Sequence, residues 1–176
     1  MKRALELAQT IKLVIFDVDG VLTDGSLFYD DKGHEYKAFN SKDGHGIRML
    51  QDAGIESAII TGRKSELVLH RAQNLNISPS LIYQGYRDKR PAFADLLEKT
   101  ELAARNIAYV GDDVMDLPIM NKVGFAIAVN DAHPFVCKHA DWVTRANGGK
   151  GAVREISEMI LEAQGKLAMM LESYLK

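Results

Sequence analysis

The most regular feature of the chain is a set of short, continuous apolar runs separated by polar and amphipathic stretches. Four of these runs end in polar or glycine-bearing residues; they cover residues 13–16, 57–60, 107–110 and 125–129. Continuous rather than alternating hydrophobicity is typical of strands that are buried on both faces, as in a parallel sheet covered by helices. The runs therefore predict the strands of a buried sheet.

Amphipathic stretches between the runs predict the helices. One stretch ends before Gly54, and the others cover residues 65–75, 89–99 and 113–121. Alternation of strands and helices along the chain indicates an α/β fold with an open, mostly parallel sheet.

The last part of the chain has a different pattern. An apolar pair at Trp142 and Val143 precedes the glycine-rich residues 147–151, which predict a flexible hinge. Apolar residues then recur on one helical face, so residues 152–175 are predicted to form one terminal helix. Gly165 weakens that helix locally.

One segment interrupts the strand–helix alternation directly after the first apolar run. Residues 26–39 contain two short apolar or aromatic stretches around the polar turn 30–33, which is typical of a β-hairpin. The hairpin would overhang the end of the first strand. At 176 residues, the whole chain 1–176 is predicted to be a single domain.

Composition narrows the function classes. The net charge of −2 comes without a basic run, which argues against nucleic-acid binding through a basic face. The single cysteine, Cys137, excludes an internal disulfide and fits a reducing compartment. Glu6 stands where a signal peptide needs apolar residues, and no apolar run approaches the roughly 20 residues of a membrane span. We therefore expect no membrane association and a cytoplasmic location.

Polar residues and one glycine gather just after the predicted strands, at the sheet edge where open α/β folds bind ligands. They are Asp17, Asp19, Thr61, Gly62, Arg63, Lys89, Asp112, Asp113 and Asp116. Carboxylates held close together raise one another's pKa unless a cation neutralises them. Since oxygen ligands suit a hard divalent ion and no Cys/His cluster favours zinc, we predict Mg²⁺ as the cofactor.

Each of these motifs has an ordinary structural interpretation when it is taken alone. The Asp-x-Asp-Gly sequence at Asp17 is a common surface turn, and the acidic pair at Asp112 can cap the following helix. Thr61 can be a cap and Lys89 an exposed helical residue. Their combination, in one chain order at strand ends and helix starts, favours a functional site.

That combination resembles the phosphatases of the haloacid dehalogenase superfamily over nearly the whole chain. Three segments, DVDGVLTDG at 17–25, KDGHG at 42–46 and GGKGAVRE at 148–155, resemble the 3-deoxy-D-manno-octulosonate 8-phosphate (KDO 8-phosphate) phosphatases. The same segments are similar to those of phosphatases of nine-carbon sialic-type sugars. The resemblance implies a three-layer Rossmann-like fold with a central parallel sheet and no cap domain.

The resemblance also implies a role for each acidic residue. Asp17 would be the nucleophile that attacks phosphorus, and Asp19 would protonate the leaving oxygen and then deprotonate water. The metal ligands would be the Asp17 carboxylate, the Asp19 backbone carbonyl and Asp112. Asp113 and Asp116 would orient the bound water molecules and Lys89. The choice between Asp112 and Asp113 as direct ligand stays open, with Asp112 favoured.

The remaining motif residues would hold the substrate. Thr61 and the backbone N–H of Gly62 would bind the phosphoryl oxygens, and Lys89 would offset their charge. Arg63 is a candidate to bind an anionic group of the substrate, and Thr23 is a further candidate contact with the substrate.

The family resemblance implies a substrate and an assembly as well. The substrate would be KDO 8-phosphate, a phosphorylated sugar acid of lipopolysaccharide precursor synthesis. Because the chain has no room for an inserted cap, the site would lack a lid of its own. Similar proteins are homotetramers, in which a neighbour supplies that lid; here the hairpin at 26–39 or the chain from Gly148 onward would serve.

Three alternatives differ in class or substrate. A phospho-signalling receiver domain has a similar fold, but its acidic pair precedes the threonine, whereas here Asp112 and Asp113 follow Lys89. A non-catalytic module of a sugar nucleotidyltransferase is disfavoured by the complete motif set. A phosphatase of nine-carbon sugar 9-phosphates, or of sugar phosphates in general, would use the same core chemistry.

Overall fold

The protein is described by a computed structural model that covers residues 1–175. Its strands are β1 (Leu13–Phe16), β2 (Phe28–Tyr29), β3 (Glu35–Tyr36), β4 (Glu56–Thr61), β5 (Ile82–Gln84), β6 (Ile107–Gly111), β7 (Phe125–Ala128) and β8 (Trp142–Val143). Its helices are α1 (Lys2–Ala8), α2 (Ser41–Asp52), α3 (Glu66–Asn74), α4 (Arg90–Thr100), α5 (Leu117–Met120), α6 (Pro134–His139), α7 (Ala152–Ala163) and α8 (Leu167–Ser173).

Six of the strands form one parallel sheet in the order β5-β4-β1-β6-β7-β8. Strand β1 lies in the middle and pairs with β4 on one side and β6 on the other, with Val14 opposite Ser57 and Ala108. All four β1 side chains are fully buried, which explains their uninterrupted hydrophobicity. The predicted α/β fold with a central parallel sheet is confirmed. The strand order changes direction beside β1, where such sheets bind ligands.

The helices cover the sheet in two packed groups. Helices α1, α2 and α7 pack together over β4 and β7, and α4 packs on α5, which lies on β6 and β7. Helix α2 begins where the Asn40 side chain accepts hydrogen bonds from the N–H groups of Lys42 and Asp43. Among residues 1–175, no helix is both long enough and apolar enough to cross a membrane.

The terminal segment is two helices, so the prediction of one helix over 152–175 is wrong. Helix α7 ends at Ala163, and α8 begins at Leu167. Gly165 between them has a φ of +68°, in the left-handed region that glycine adopts without the strain of a side chain. The N–H of Lys166 donates to the carbonyl of Leu161, a contact typical of a glycine-terminated helix.

Two other predicted elements are present in altered form. The hairpin within 26–39 pairs Phe28 with Tyr36 and Tyr29 with Glu35, in strands of two residues each. The helix predicted over 113–121 is reduced to α5, because the preceding residues form a turn closed by the Asp116 side chain.

The glycine-rich residues 147–151, for which the sequence predicts a flexible hinge, make hydrogen bonds with other parts of the domain. The N–H of Gly149 donates to the carbonyl of Val21, and the N–H of Gly148 donates to Asp131. Both glycines therefore lie against the loop that follows β1.

Candidate active site

The loop after β1 places two carboxylates at the carboxyl edge of the sheet. The N–H of Asp17 donates to the carbonyl of Val110 and so extends the β1–β6 pairing by one residue. A tight turn over Val18–Leu22 then carries Asp19, with Gly20 at a φ of +95°. A Cβ on Gly20 would lie 2.1 Å from Asp112 Oδ2, so this close approach requires glycine.

Lys89 is a buried cation of the site. It precedes α4 and is 2% exposed, and its Nζ lies 3.0 Å from Asp17 Oδ1 and 2.6 Å from Asp116 Oδ1. Burial alone would lower the pKa of Lys89, but the charges of Asp17 and Asp116 outweigh it and raise that pKa. The lysine therefore remains charged between two carboxylates.

Asp116 connects the lysine to the backbone of the acidic motif. Its Oδ1 accepts hydrogen bonds from Lys89 and from the Tyr109 hydroxyl, and its Oδ2 accepts from the N–H groups of Asp112 and Asp113. Its carboxylate is thus fully engaged within the protein. This arrangement favours a positioning role for Asp116.

A group of three carboxylates marks a candidate metal position. Ligand oxygens of Asp17, Asp112 and Asp116 lie within 4.8 Å of one another. Burial raises the pKa of Asp17 to about 6. Burial, with the nearby charges of Asp17 and Asp116, raises the pKa of Asp112 to about 8. A bound divalent cation would offset the burial and the repulsion that disfavour the ionised forms of these carboxylates. Mg²⁺ suits this position because it prefers oxygen ligands.

The surroundings of Asp112 and Asp113 bear on which of them would touch the ion. Asp112 Oδ1 is buried and has no hydrogen-bond partner within residues 1–175. Asp113 is exposed, and its Oδ1 accepts a hydrogen bond from the N–H of Val114 at 2.7 Å. The unsatisfied oxygen of Asp112 therefore makes it the better ligand, and the donor set fits Mg²⁺.

An open cavity of about 290 Å³ brings most of the candidate residues together. It is lined by Asp17, Asp19, Thr61, Gly62, Arg63, Arg87, Lys89, Asp112, Asp113, Met115 and Asp116. Arg87 and Met115 were not anticipated from the sequence. The basic residues around Lys89, with Arg87 two residues earlier, are the signal that could have identified the first of them.

Thr23, which the resemblance makes a further candidate contact with the substrate, is not among the residues that line this cavity. It is 3% exposed, and its hydroxyl donates to the carbonyl of Val18 and accepts from the N–H groups of Gly20 and Gly25. These bonds hold the turn of the loop. We assign Thr23 to shaping the loop, because its hydroxyl is already engaged there.

The hairpin approaches the site of its own chain through side chains that sequence reasoning missed. Lys37, whose side chain is 2% exposed, donates a hydrogen bond to Asp19. Arg63 donates to the Tyr29 hydroxyl at 2.6 Å and to Glu35 at 2.7 Å. Alternation along a strand puts Glu35 and Lys37 on one face, which is the signal that could have identified them.

Comparison with known proteins agrees with the family resemblance of the sequence motifs. A sequence family described as haloacid dehalogenase-like hydrolase matches residues 81–156. The chain is 54% identical over 160 residues to the 3-deoxy-D-manno-octulosonate 8-phosphate phosphatase KdsC of Escherichia coli strain K12, covering 91% of this chain and 84% of that protein.

Solved structures show the same similarity. A KDO 8-phosphate phosphatase from Moraxella catarrhalis, solved with a magnesium ion, a phosphate ion and a KDO molecule, is 40% identical with a TM-score of 0.95, covering 99% of each chain. The corresponding enzyme from Yersinia pestis is 46% identical with a TM-score of 0.91, covering 94% of this chain and 88% of that one.

Proposed function

The chain belongs to the 3-deoxy-D-manno-octulosonate 8-phosphate phosphatases, a family of haloacid dehalogenase-like hydrolases, and we propose that it hydrolyses this substrate through a phosphorylated Asp17. The observation that carries the mechanism is the contact of a buried lysine with Asp17 in the lining of an oxygen-rich cavity. Family membership sets aside the receiver domain and the non-catalytic module.

The first step is attack on phosphorus by a carboxylate oxygen of Asp17. The bond from phosphorus to the sugar oxygen breaks as the new aspartyl-phosphate bond forms. Lys89 and the Thr61 and Gly62 donors offset the charge on the phosphoryl oxygens. All four residues line the same cavity, which supports these roles.

Asp19 transfers the protons. In its acid form it gives a proton to the departing sugar oxygen, and its carboxylate then takes a proton from the water that attacks the aspartyl-phosphate. That attack releases phosphate and regenerates Asp17. Lys37 and Arg63 lie against Asp19, so they fix its carboxylate on the leaving-group side.

Mg²⁺ is the cofactor of the family, and its position here follows from the oxygen atoms available. Asp17, Asp112 and the backbone carbonyl of Asp19 would hold it, with Asp113 and Asp116 orienting its surroundings. The ion supplies neutralisation of negative charge on the transferring phosphoryl group.

The substrate carries two anionic groups, a phosphate and a sugar-acid carboxylate. Arg63 and Arg87 both line the cavity around the phosphate position and provide cations for the second anionic group. This charge pattern supports a sugar-acid phosphate over a neutral sugar phosphate. We place the reaction in lipopolysaccharide precursor synthesis, in the cytoplasm.

A homotetramer in which a neighbour completes the lid remains our proposal for the assembly. The hairpin of the same chain reaches Asp19 and Arg63 with one face. Its other face carries Phe28 and Tyr36, which are 53% and 56% exposed. Exposed aromatic pairs of this kind favour contact with another subunit.

Steady-state kinetics on a panel of phosphate esters tests the function. The panel contains KDO 8-phosphate, a sialic-type 9-phosphate, a neutral hexose phosphate and a small generic ester. We expect the highest kcat/KM for KDO 8-phosphate and a loss in Arg63→Ala that is steeper for the sugar acids than for the other esters, since Arg63 also contacts Asp19. A higher kcat/KM for the nine-carbon substrate would transfer the assignment to that alternative.

A further inference from the structure

We infer that Gly148 and Gly149 are positioning residues of the active site: they hold Gly20 against Asp112 and thereby set the spacing between the Asp17 loop and the metal-binding carboxylate. This inference rests on the proposed function, since it assigns Asp112 to the metal. It gives the glycine-rich segment a role opposite to that of a mobile lid.

Gly20 lies between two close contacts. On one side, a Cβ on Gly20 would lie 2.1 Å from Asp112 Oδ2. On the other side, a Cβ on Gly148 would lie 1.7 Å from the Gly20 carbonyl oxygen and 2.6 Å from its carbon. Real Cβ atoms do not approach other atoms this closely, so a side chain at Gly148 would displace Gly20 and with it the loop that carries Asp17 and Asp19.

Gly149 makes a second contact with the same loop. Its N–H donates to the carbonyl of Val21 at 2.9 Å, and its φ of +63° suits glycine. A Cβ there would lie 2.4 Å from the carbonyl carbon of Thr23 and 2.5 Å from the nitrogen of Asp24. Two successive glycines therefore pack their backbone directly on the backbone of the Asp17 loop.

The glycine-rich segment also makes hydrogen bonds with other parts of the domain. The N–H of Gly148 donates to Asp131 Oδ1 at 2.9 Å, and the Asn40 side chain donates to the carbonyl of Gly149. Asp43, which is 1% exposed, accepts hydrogen bonds from the N–H groups of Gly151 and Arg154 at the start of α7. The segment is thus anchored to the start of α2 and to the loop after β7, and it acts as a rigid support.

The support matters because the reacting groups must be placed accurately. A displacement of about 1 Å in a reacting group can cost roughly 10²-fold in rate. A shifted loop would also move the Asp17 carboxylate and the Asp19 carbonyl relative to Asp112, which would weaken metal binding. A purely structural role would lower stability without changing either property of the folded protein.

The test compares Gly148→Ala with Gly124→Ala. Neither glycine has a positive φ, and a Cβ on Gly124 would meet the Arg105 carbonyl oxygen at 2.0 Å, a comparable clash at the opposite edge of the sheet. Magnesium affinity is measured by titration calorimetry, and kcat and KM are measured separately. We expect Gly148→Ala to bind Mg²⁺ at least about tenfold more weakly and to lose roughly 10²-fold in kcat. Gly124→Ala is expected to stay near wild type in both once folded.

A milder variant keeps the test decisive if Gly148→Ala does not fold. Asp131→Ala removes only the hydrogen bond to Gly148 at an exposed position, and we expect a weakening of Mg²⁺ binding by about threefold with an unchanged KM. Wild-type Mg²⁺ affinity and kcat in folded Gly148→Ala, or in Asp131→Ala if the former is unfolded, would overturn the inference. Absence of phosphatase activity in the wild type would instead overturn the proposed function, while the calorimetric comparison would still decide the role of the glycines.

Discussion

Lys37 donates a hydrogen bond to the carboxylate of Asp19, so the β-hairpin reaches the active site of its own chain. The lysine side chain is 2% exposed, which makes this contact a fixed part of the site. We predict that Lys37→Met lowers kcat/KM about tenfold or more, since Asp19 would lose the contact that positions it and a displacement of about 1 Å can cost roughly 10²-fold in rate. Phosphate release measures the effect. Lys32→Met, at the exposed turn of the same hairpin, is the control, and equal activity of the two variants would contradict the role of Lys37.

The Asp17→Asn variant is expected to lose activity without losing stability. The amide has the same shape but is not a nucleophile, so kcat is expected to fall at least roughly 10³-fold. Because Asp17 is buried and near Asp112 and Asp116, loss of its charge also removes repulsion in the metal-free protein. The Tm without metal should therefore not decrease. Asp31→Asn at the hairpin turn is the matched control, and residual activity within tenfold of wild type would exclude Asp17 as the nucleophile.

The raised carboxyl pKa values predict a specific dependence on pH and metal. The pKa of Asp17 is raised to about 6 and that of Asp112 to about 8, so the folded metal-free chain binds more protons than the unfolded chain between about pH 4 and 8. Its stability should decrease as pH rises through this window. Mg²⁺ competes with these protons, so the increase in Tm on adding Mg²⁺ should be larger at about pH 8.5 than at about pH 5.5. An increase that is independent of pH would argue against a metal site at these two carboxylates.

Lys89 compensates the charge of the acidic cluster. Removing it in Lys89→Ala leaves Asp17 and Asp116 without their cation, and breaking a buried pair costs about 3–5 kcal/mol. We also expect a loss of roughly 10²–10³-fold in kcat, because a fixed donor to the phosphoryl group is lost. Lys99→Ala breaks the exposed pair with Asp95 and should change stability little, because solvent screens such pairs. Urea unfolding and steady-state kinetics on both variants give the comparison, and similar behaviour of the two would show that Lys89 is not the cation of the site.

The parts of this site that the sequence predicted share one physical basis. Asp17, Thr61 and Asp112 each follow or end a strand whose neighbours are continuously apolar, so their position at one sheet edge follows from chain order alone. Their side chains do meet in one cavity. The apolar runs indicate strands buried on both faces, the helices between them indicate parallel strands, and parallel strands bring their carboxyl ends to one edge of the sheet.

What the sequence missed depends on contacts between distant segments. The sequence suggests that the Thr23 hydroxyl is free to bind substrate. In the structure this hydroxyl makes hydrogen bonds within its own turn. Lys37 approaches Asp19 only because the hairpin folds back over β1. The glycines at 148 and 149 suggest mobility by composition, whereas their lack of side chains serves close packing on Gly20 and Thr23. In each case the residue type alone allows two roles, and contacts in the folded protein decide which role the residue has.

Two exposed aromatic side chains lie on the outer face of the hairpin. Phe28 and Tyr36 form a cross-strand pair, and both are more than half exposed, so the proposed tetramer would bury them against a neighbour. We expect the wild type to sediment at close to four times the 19.5 kDa of one chain. Replacing both residues by serine should shift the protein toward monomer.

The same double variant tests whether a neighbour completes the site. If it does, KM for the sugar-acid phosphate should rise about tenfold, while KM for a small generic ester changes little, because only the larger substrate would extend from the cavity to the partner. Phe135→Ser on α6 is the control, since Phe135 is 51% exposed and lies outside the hairpin. A monomeric double variant with wild-type KM for both substrates would show that Lys37, Arg63 and the hairpin of one chain are a sufficient lid.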